Sequence, residues 1–163
     1  MSVMRRHGEV DTLTARIYYF EDLPPGTVLE FGGMEMTEEE IVGFAKRYDP
    51  QPFHVDREAG KASIFGALCA SGWNTTAVMM RMWVDNYLSP EASLGSPGID
   101  ELRWLKPVYP GDRLRCRLTV IDATPSRSRP FMGSVRQRAE VINQKDEVVL
   151  SLIGTSFFRR RPA

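Results

Sequence analysis

The sequence is poor in the side chains that most often carry chemistry. Its 163 residues include two histidines and two cysteines, and the formal net charge is zero. A neutral balance argues against wholesale binding to nucleic acid or to an anionic membrane surface, both of which draw on an excess of basic residues. Cys69 and Cys116 lie far apart and show no metal-ligand spacing. With no apolar signal segment in residues 1–10, they fit reduced thiols in a cytoplasmic protein. Lysine is scarce, confined to Lys46, Lys61, Lys106 and Lys145, so most of the basic charge is arginine. Biased composition and solvated strand faces account for most of those arginines. No long hydrophobic run is present either. The most apolar stretch, Ile64 to Leu88, is interrupted by Arg81 and Asp85 and reads as a buried helix rather than a membrane span.

What remains is one unusual cluster. His54 follows Asp49 by five residues in Tyr48-Asp49-Pro50-Gln51-Pro52-Phe53-His54-Val55-Asp56. The other histidine, His7, falls in a polar N-terminal stretch. Histidine is the one side chain whose unshifted titration spans neutral pH, so His54 is the first candidate for proton transfer, with Asp49 as companion. Five extended residues span at most ~18 Å, so the loop must double back if both side chains are to meet one water. Two prolines between them rule out ordinary helix and favour a fixed bend. The same pattern also suits an N-cap, a turn or a hydrogen-bonded structural histidine.

The organisation along the chain is simple. Residues 1–14 form an arm, and residues 15–163 a single domain. Strand-like content is expected over Ile17 to Phe20 and Val28 to Met36, separated by the turn Pro24-Pro25-Gly26. Thr37-Glu38-Glu39-Glu40 is a capping box opening a helix that Pro50 should stop at Asp49. Asp56 is expected as the N-cap of a short turn through Ala59 and Ala62. A long helix follows from about Ser71 to Tyr87, with Ala77, Met80, Val84 and Tyr87 as its apolar stripe and Trp73 and Met79 widening it. Met79, Met80, Met82 and Trp83 read as packing rather than as a cofactor box. Ser89 to Gly98 is expected as loop. Thereafter Leu114, Cys116, Leu118 and Val120 alternate with polar residues, and Val135 to Ile142 and Val148 to Phe158 repeat that period of two. One long helix followed by an antiparallel sheet indicates an α+β class.

The Asp49-Pro50-Gln51-Pro52-Phe53-His54-Val55-Asp56 run resembles the Asp-x-Asn-Pro-x-His-x-Asp motif of the MaoC-like (R)-specific enoyl-CoA hydratases. Gly72 at the head of the long helix and Pro107-Val108-Tyr109-Pro110-Gly111-Asp112 resemble further segments of that family, in the same order. The resemblance covers roughly Tyr19 to Phe158. It implies a hot-dog fold, in which a curved antiparallel sheet wraps a long helix, usually paired as a homodimer. It also implies reversible addition of water to a trans-2-enoyl-CoA or related acyl thioester, with no metal and no cofactor beyond the CoA of the substrate. Asp49 and His54 would hold and activate the water. The amide of Gly72, at a helix N-terminus, would polarise the thioester oxygen. Ser71, Gln51 and Trp73 are further candidates for substrate contact. Three positions depart from the family pattern: Gln51 replaces the asparagine, Ser71 replaces a histidine before the glycine, and Met80 stands where some members carry serine. A thioesterase and a non-catalytic acyl-CoA-binding subunit are the alternatives this fold allows. Arg159-Arg160-Arg161 is either a phosphate contact for CoA or a solvated terminus.

Overall fold

A computed structural model describes residues 16–163; the arm expected over residues 1–14 lies outside them. Five antiparallel strands form one sheet in the order β1-β3-β4-β5-β2, with β1 Val28–Glu35, β2 Gly98–Trp104, β3 Arg113–Pro125, β4 Met132–Ile142 and β5 Val148–Arg159. Four helices precede β2: α1 Glu38–Tyr48, α2 Pro52–Val55, α3 Arg57–Ala62 and α4 Gly72–Asn86. The alternation in the last three strands has the expected cause. Leu114, Cys116, Leu118 and Val120 of β3, and Val135, Ala139 and Val141 of β4, point to one face and are buried. On the opposite face of β3 the arginines are paired, Arg117 with Glu30 at 2.6 Å and Arg115 with Asp146 at 2.6 Å. The arrangement is the hot-dog fold, with α4 as its central helix.

The central helix lies on the apolar face of the sheet. Val78, Met79, Met82 and Trp83 are buried in the core, where the helix lies against β1 and β3. The Trp83 indole N–H meets Cys116 Sγ at 3.4 Å, so even its polar atom is accommodated in the core. Close approach of α4 to β1 depends on Gly32. That residue has φ +107° at a register shift in the β1–β3 pairing, and a Cβ there would overlap the Met82 thioether.

Several expectations need correction. Residues 17–20 do not form a strand; the chain there is irregular and enters a 3-10 turn at Phe20–Asp22. Tyr19 packs there under Arg161 and caps the turn through its backbone N–H to Asp22. The expected loop ends at Gly98, where the edge strand β2 begins; the sequence indicates no strand over residues 99–104, because they are nearly all exposed and so carry no inward-outward alternation. The apolar stripe of α4 is only partly the expected one: Tyr87 and Met79 are buried, but Ala77 and Trp73 are exposed. Met80 and Val84 are exposed, whereas Thr75, Val78, Met79 and Met82 are buried. Thr37 caps α1 as expected, accepting from the Glu40 amide at 3.1 Å. Glu40 does not reach back to complete the box, because its carboxylate accepts from Asn74 of α4 at 3.1 Å.

The Gly32 crossing yields a stability prediction. Gly32→Ala should lower the unfolding free energy by about 1–3 kcal/mol, from backbone strain at positive φ and displacement of Met82. Urea unfolding of the variant beside the parent measures it, and an unchanged midpoint would refute the close-approach account.

Candidate active site

The segment between α1 and α2 folds back as the two prolines suggest. Pro50 ends α1, leaving Asp49 as its C-cap with the amide still bonded to the Ala45 carbonyl at 2.9 Å. Pro52 then begins α2 at the position where its missing N–H costs nothing, with Gln51 as N-cap. His54 is thus on a single helical turn rather than in irregular loop. The reversal brings His54 Nε2 to 3.4 Å from Asp49 Oδ2. Gln51 Nε2 donates to Asp49 Oδ1 at 2.7 Å, so the amide holds the carboxylate. Asp56 acts as N-cap of α3, accepting from the Ala59 amide at 2.8 Å.

The ring of His54 is buried and pinned from behind. Its Nδ1 lies 2.6 Å from the Cys69 carbonyl, an acceptor with no proton, so Nδ1 carries the hydrogen and donates. Nε2 therefore faces the Asp49 carboxylate. If it is unprotonated, two lone-pair centres oppose each other at 3.4 Å, an arrangement relieved by a molecule that donates to both. Water has that geometry. Burial raises the pKa of Asp49, but the Gln51 amide, the Ser71 hydroxyl and the His54 ring outweigh it and hold the carboxyl below the ordinary aspartate value. The Ser71 hydroxyl is fully buried and forms no hydrogen bond of good geometry, so its effect on Asp49 is that of a nearby dipole. Cys69 itself is no nucleophile, since burial pushes its thiol up to about 11.

The same short stretch that anchors His54 leads into α4. Cys69 N–H bonds to the Phe53 carbonyl at 3.2 Å and Ala70 N–H to the Val108 carbonyl at 2.8 Å. Val108 belongs to the Lys106–Asp112 segment, which Asp112 stiffens by accepting from the Tyr109 amide at 2.9 Å and from Gln144 at 2.8 Å. That segment therefore serves as a buttress. Ser71 is the N-cap of α4, yet its side chain makes no capping bond. Among the described residues the amides of Gly72 and Trp73 donate to no protein acceptor, as expected of a first helical turn.

The missing side chain of Gly72 has a packing reason. A Cβ there would overlap the Trp104 indole, so the space is filled by protein packing rather than left for a ligand. Trp104 is held by its N–H to Thr76 Oγ1 at 3.1 Å, and its ring lies edge-on to Trp73 at 5.0 Å. Only the free amide of Gly72 remains as a contact group. Trp73 is half exposed and lines a cavity of about 510 Å³ that runs along α4 past Met80 and Trp83. Met80 is thus a wall of this cavity rather than core. Neither Trp104 nor the cavity's floor on β5 was legible as part of a site, although Trp104 sits just before the Lys106–Asp112 motif. The arginine tail is engaged elsewhere: Arg160 pairs with Glu21 at 3.0 Å and Arg161 with Asp22 at 2.7 Å.

Comparison with known proteins identifies the family. The family model described as "MaoC like domain" matches residues 21–143. A MaoC-like dehydratase from Rhodospirillum rubrum superposes with a TM-score of 0.83 at 38% identity, covering 90% of this chain and 99% of that one. The uncharacterized protein YdeM of Bacillus subtilis (strain 168) is 28% identical over 121 residues, 74% of this chain and 84% of its own length. A mesaconyl-CoA hydratase of Cereibacter sphaeroides is 41% identical over 75 residues, 44% of this chain and 22% of that enzyme. The chain therefore spans only about a fifth of that hydratase. The matched residues run from the 3-10 turn through β4 and include the whole Asp49–His54 reversal, and on that extent the chain belongs to the MaoC-like domain family.

Proposed function

We propose that the protein is a hydro-lyase that adds water reversibly to a trans-2-enoyl-CoA, or a related acyl thioester, to give the 3-hydroxyacyl thioester. The observation that carries this reading is the facing of Asp49 Oδ2 and His54 Nε2 at 3.4 Å, with the His54 tautomer set by the Cys69 carbonyl. A water held between them attacks the β carbon. The pair takes one proton from that water and delivers one to the α carbon, so the addition balances without a metal or redox partner. Negative charge that develops on the thioester oxygen is met by the amide of Gly72, at the positive end of the α4 dipole. The acyl chain then lies in the cavity bounded by Trp73, Met80 and Trp83. Family membership and the likeness to a protein named as a CoA-ester hydratase support the same reaction class.

A second copy of the chain is the proposed partner. Trp73, Met80 and Val84 on the outer side of α4, with Ile99 and Trp104 on the edge strand β2, form an exposed apolar surface next to unpaired strand backbone. A homodimer would cover Val84 and the strand edge and close over the mouth of the α4 cavity, on which Trp73, Met80 and Ile99 stand. Among the described residues no helix is long and apolar enough to cross a membrane.

Three measurements test these statements. Loss of the conjugated double bond of crotonyl-CoA and longer enoyl-CoAs should be seen on adding the protein. Asp49→Asn and His54→Gln should each lower kcat about 100- to 10,000-fold while keeping the parent circular dichroism. Full activity in either folded variant would remove that residue from the mechanism, and thiol release without hydration would indicate a thioesterase.

The pH dependence of stability follows from the depressed Asp49 pKa. A carboxylate whose folded value lies below its unfolded one stabilises the fold above the unfolded value, about 3.9. That stabilisation is lost as the pH falls through the folded value. The Tm gap between the parent and Asp49→Asn should therefore be constant at neutral pH and shrink below about pH 4. A gap that widens on acidification would contradict the shift.

Light scattering should give about twice the 18.5 kDa chain mass. Val84→Glu, which sets a charge in the exposed stripe, should move the population toward monomer. A parent that scatters as a monomer would overturn the pairing.

A further inference from the structure

The cavity along α4 is lined mainly by apolar side chains, and of its polar residues only Gln137 and Ser156 are buried. Gln137 of β4 stands on the inward face between Val135 and Ala139, both fully buried, and is itself 1% exposed. An amide in such a row must find partners or bear the cost of a buried, unpaired dipole. One partner is present. Gln137 Nε2 donates to Ser156 Oγ of the neighbouring strand β5 at 2.8 Å, and Ser156 is also buried. Gln137 Oε1 has none. With Ser156 Oγ accepting from the amide, its own hydrogen is also free to donate. An acceptor and a donor thus lie side by side on two residues that line a cavity of about 510 Å³, together with apolar Met79, Met80, Trp83 and Leu152 and the less buried hydroxyl residues Thr76, Ser93, Ser96 and Thr155.

The charge of the lining limits what can occupy that end. No lysine, arginine or histidine is among the described residues that line the cavity. A carboxylate there would be desolvated without a counter-ion, which is strongly unfavourable. A wholly hydrocarbon chain would leave the Gln137 oxygen unpaired. A neutral hydroxyl satisfies both groups at once, donating to Gln137 Oε1 and accepting from Ser156.

We propose that Gln137 and Ser156 are specificity-determining residues that bind a neutral hydroxyl carried on the distal part of the acyl chain, so that a hydroxylated enoyl thioester is preferred over a plain one and a carboxylated one is disfavoured. This inference rests on the reading of the α4 cavity as the acyl pocket. It is independent of the roles of Asp49 and His54, which lie outside the cavity lining. Discrimination of this kind is strong where a site has a buried polar group that the wrong ligand leaves unpaired.

The test is calorimetric binding of saturated CoA thioesters of four to eight carbons, each as the plain, ω-hydroxy and ω-carboxy form. At one chain length the hydroxy ester should bind about tenfold tighter than the plain one, which in turn binds tighter than the carboxy ester. Gln137→Leu should abolish the hydroxyl preference, leaving the plain ester at least as tight. Ser156→Ala removes only a hydroxyl and should reduce the preference severalfold, so it carries the test where Gln137→Leu does not fold. Equal affinity at every length, a carboxy ester that binds best, or a preference that survives both substitutions would overturn the proposal. Because the ligands are saturated, a hydroxyl preference without any hydration of enoyl-CoA would uphold this inference and refute the hydratase reading. Absence of binding to every ester would overturn this inference together with the acyl-pocket reading.

Discussion

The hydrogen bond from His54 Nδ1 to the Cys69 carbonyl organises the candidate site. At 2.6 Å it sets the tautomer, turns Nε2 toward Asp49 and ties the α2 turn to the irregular residues that precede α4. Cys69 is in turn held by its amide to Phe53 and, one residue on, by the Ala70 bond to Val108. Moving that carbonyl would misplace the imidazole and the head of α4 together. A histidine and a helix N-terminus, supplied by separate elements, are thereby held at one distance from each other.

The surrounding architecture supplies rigidity of two kinds. Local rigidity comes from Pro50 and Pro52, which end one helix and begin the next with only Gln51 between them. Long-range rigidity comes from α4, pressed onto the sheet through Met82 at Gly32 and closed at its N-terminus by Trp104 over Gly72. The two glycines act differently. Gly32 provides a backbone conformation as well as space, and Gly72 provides space alone. Ser71 and Gln51, two of the three departures from the family pattern, both act on the Asp49 carboxylate. Their position favours a role in holding that group over direct contact with an acyl chain.

Features governed by neighbours in sequence were legible beforehand. The Thr37 and Asp56 caps depend on side-chain to backbone bonds within a few residues, the stop at Pro50 on the steric restriction of the residue before proline, and the extent of α4 on local apolar periodicity, and all were found where expected. Strands β3 to β5 announced themselves because one face is buried and the other solvated, which imposes a period of two. Strand β2 did not, since an edge strand with both faces exposed has no such pattern. Residues 17–20 misled for the opposite reason. Their aromatic content suits a strand, yet the Tyr19–Asp22 backbone bond draws them into a 3-10 turn.

The sequence alone therefore determined that prolines interrupt the helix between Asp49 and His54, while the reversal that brings the two side chains together is a fact of the fold. The sequence also determined that a long helix precedes an antiparallel sheet. Those outcomes follow from torsional limits and from hydrophobic periodicity, both of which act over short stretches of chain. Tertiary structure decided which side of α4 is buried, why Gly72 has no side chain, and that Gln137 and Ser156 meet beneath Met80. Each of these depends on surfaces contributed by residues tens of positions apart. α4 is apolar on more than one side, so periodicity could not choose between them. The sheet did, by offering a matching apolar face on only one.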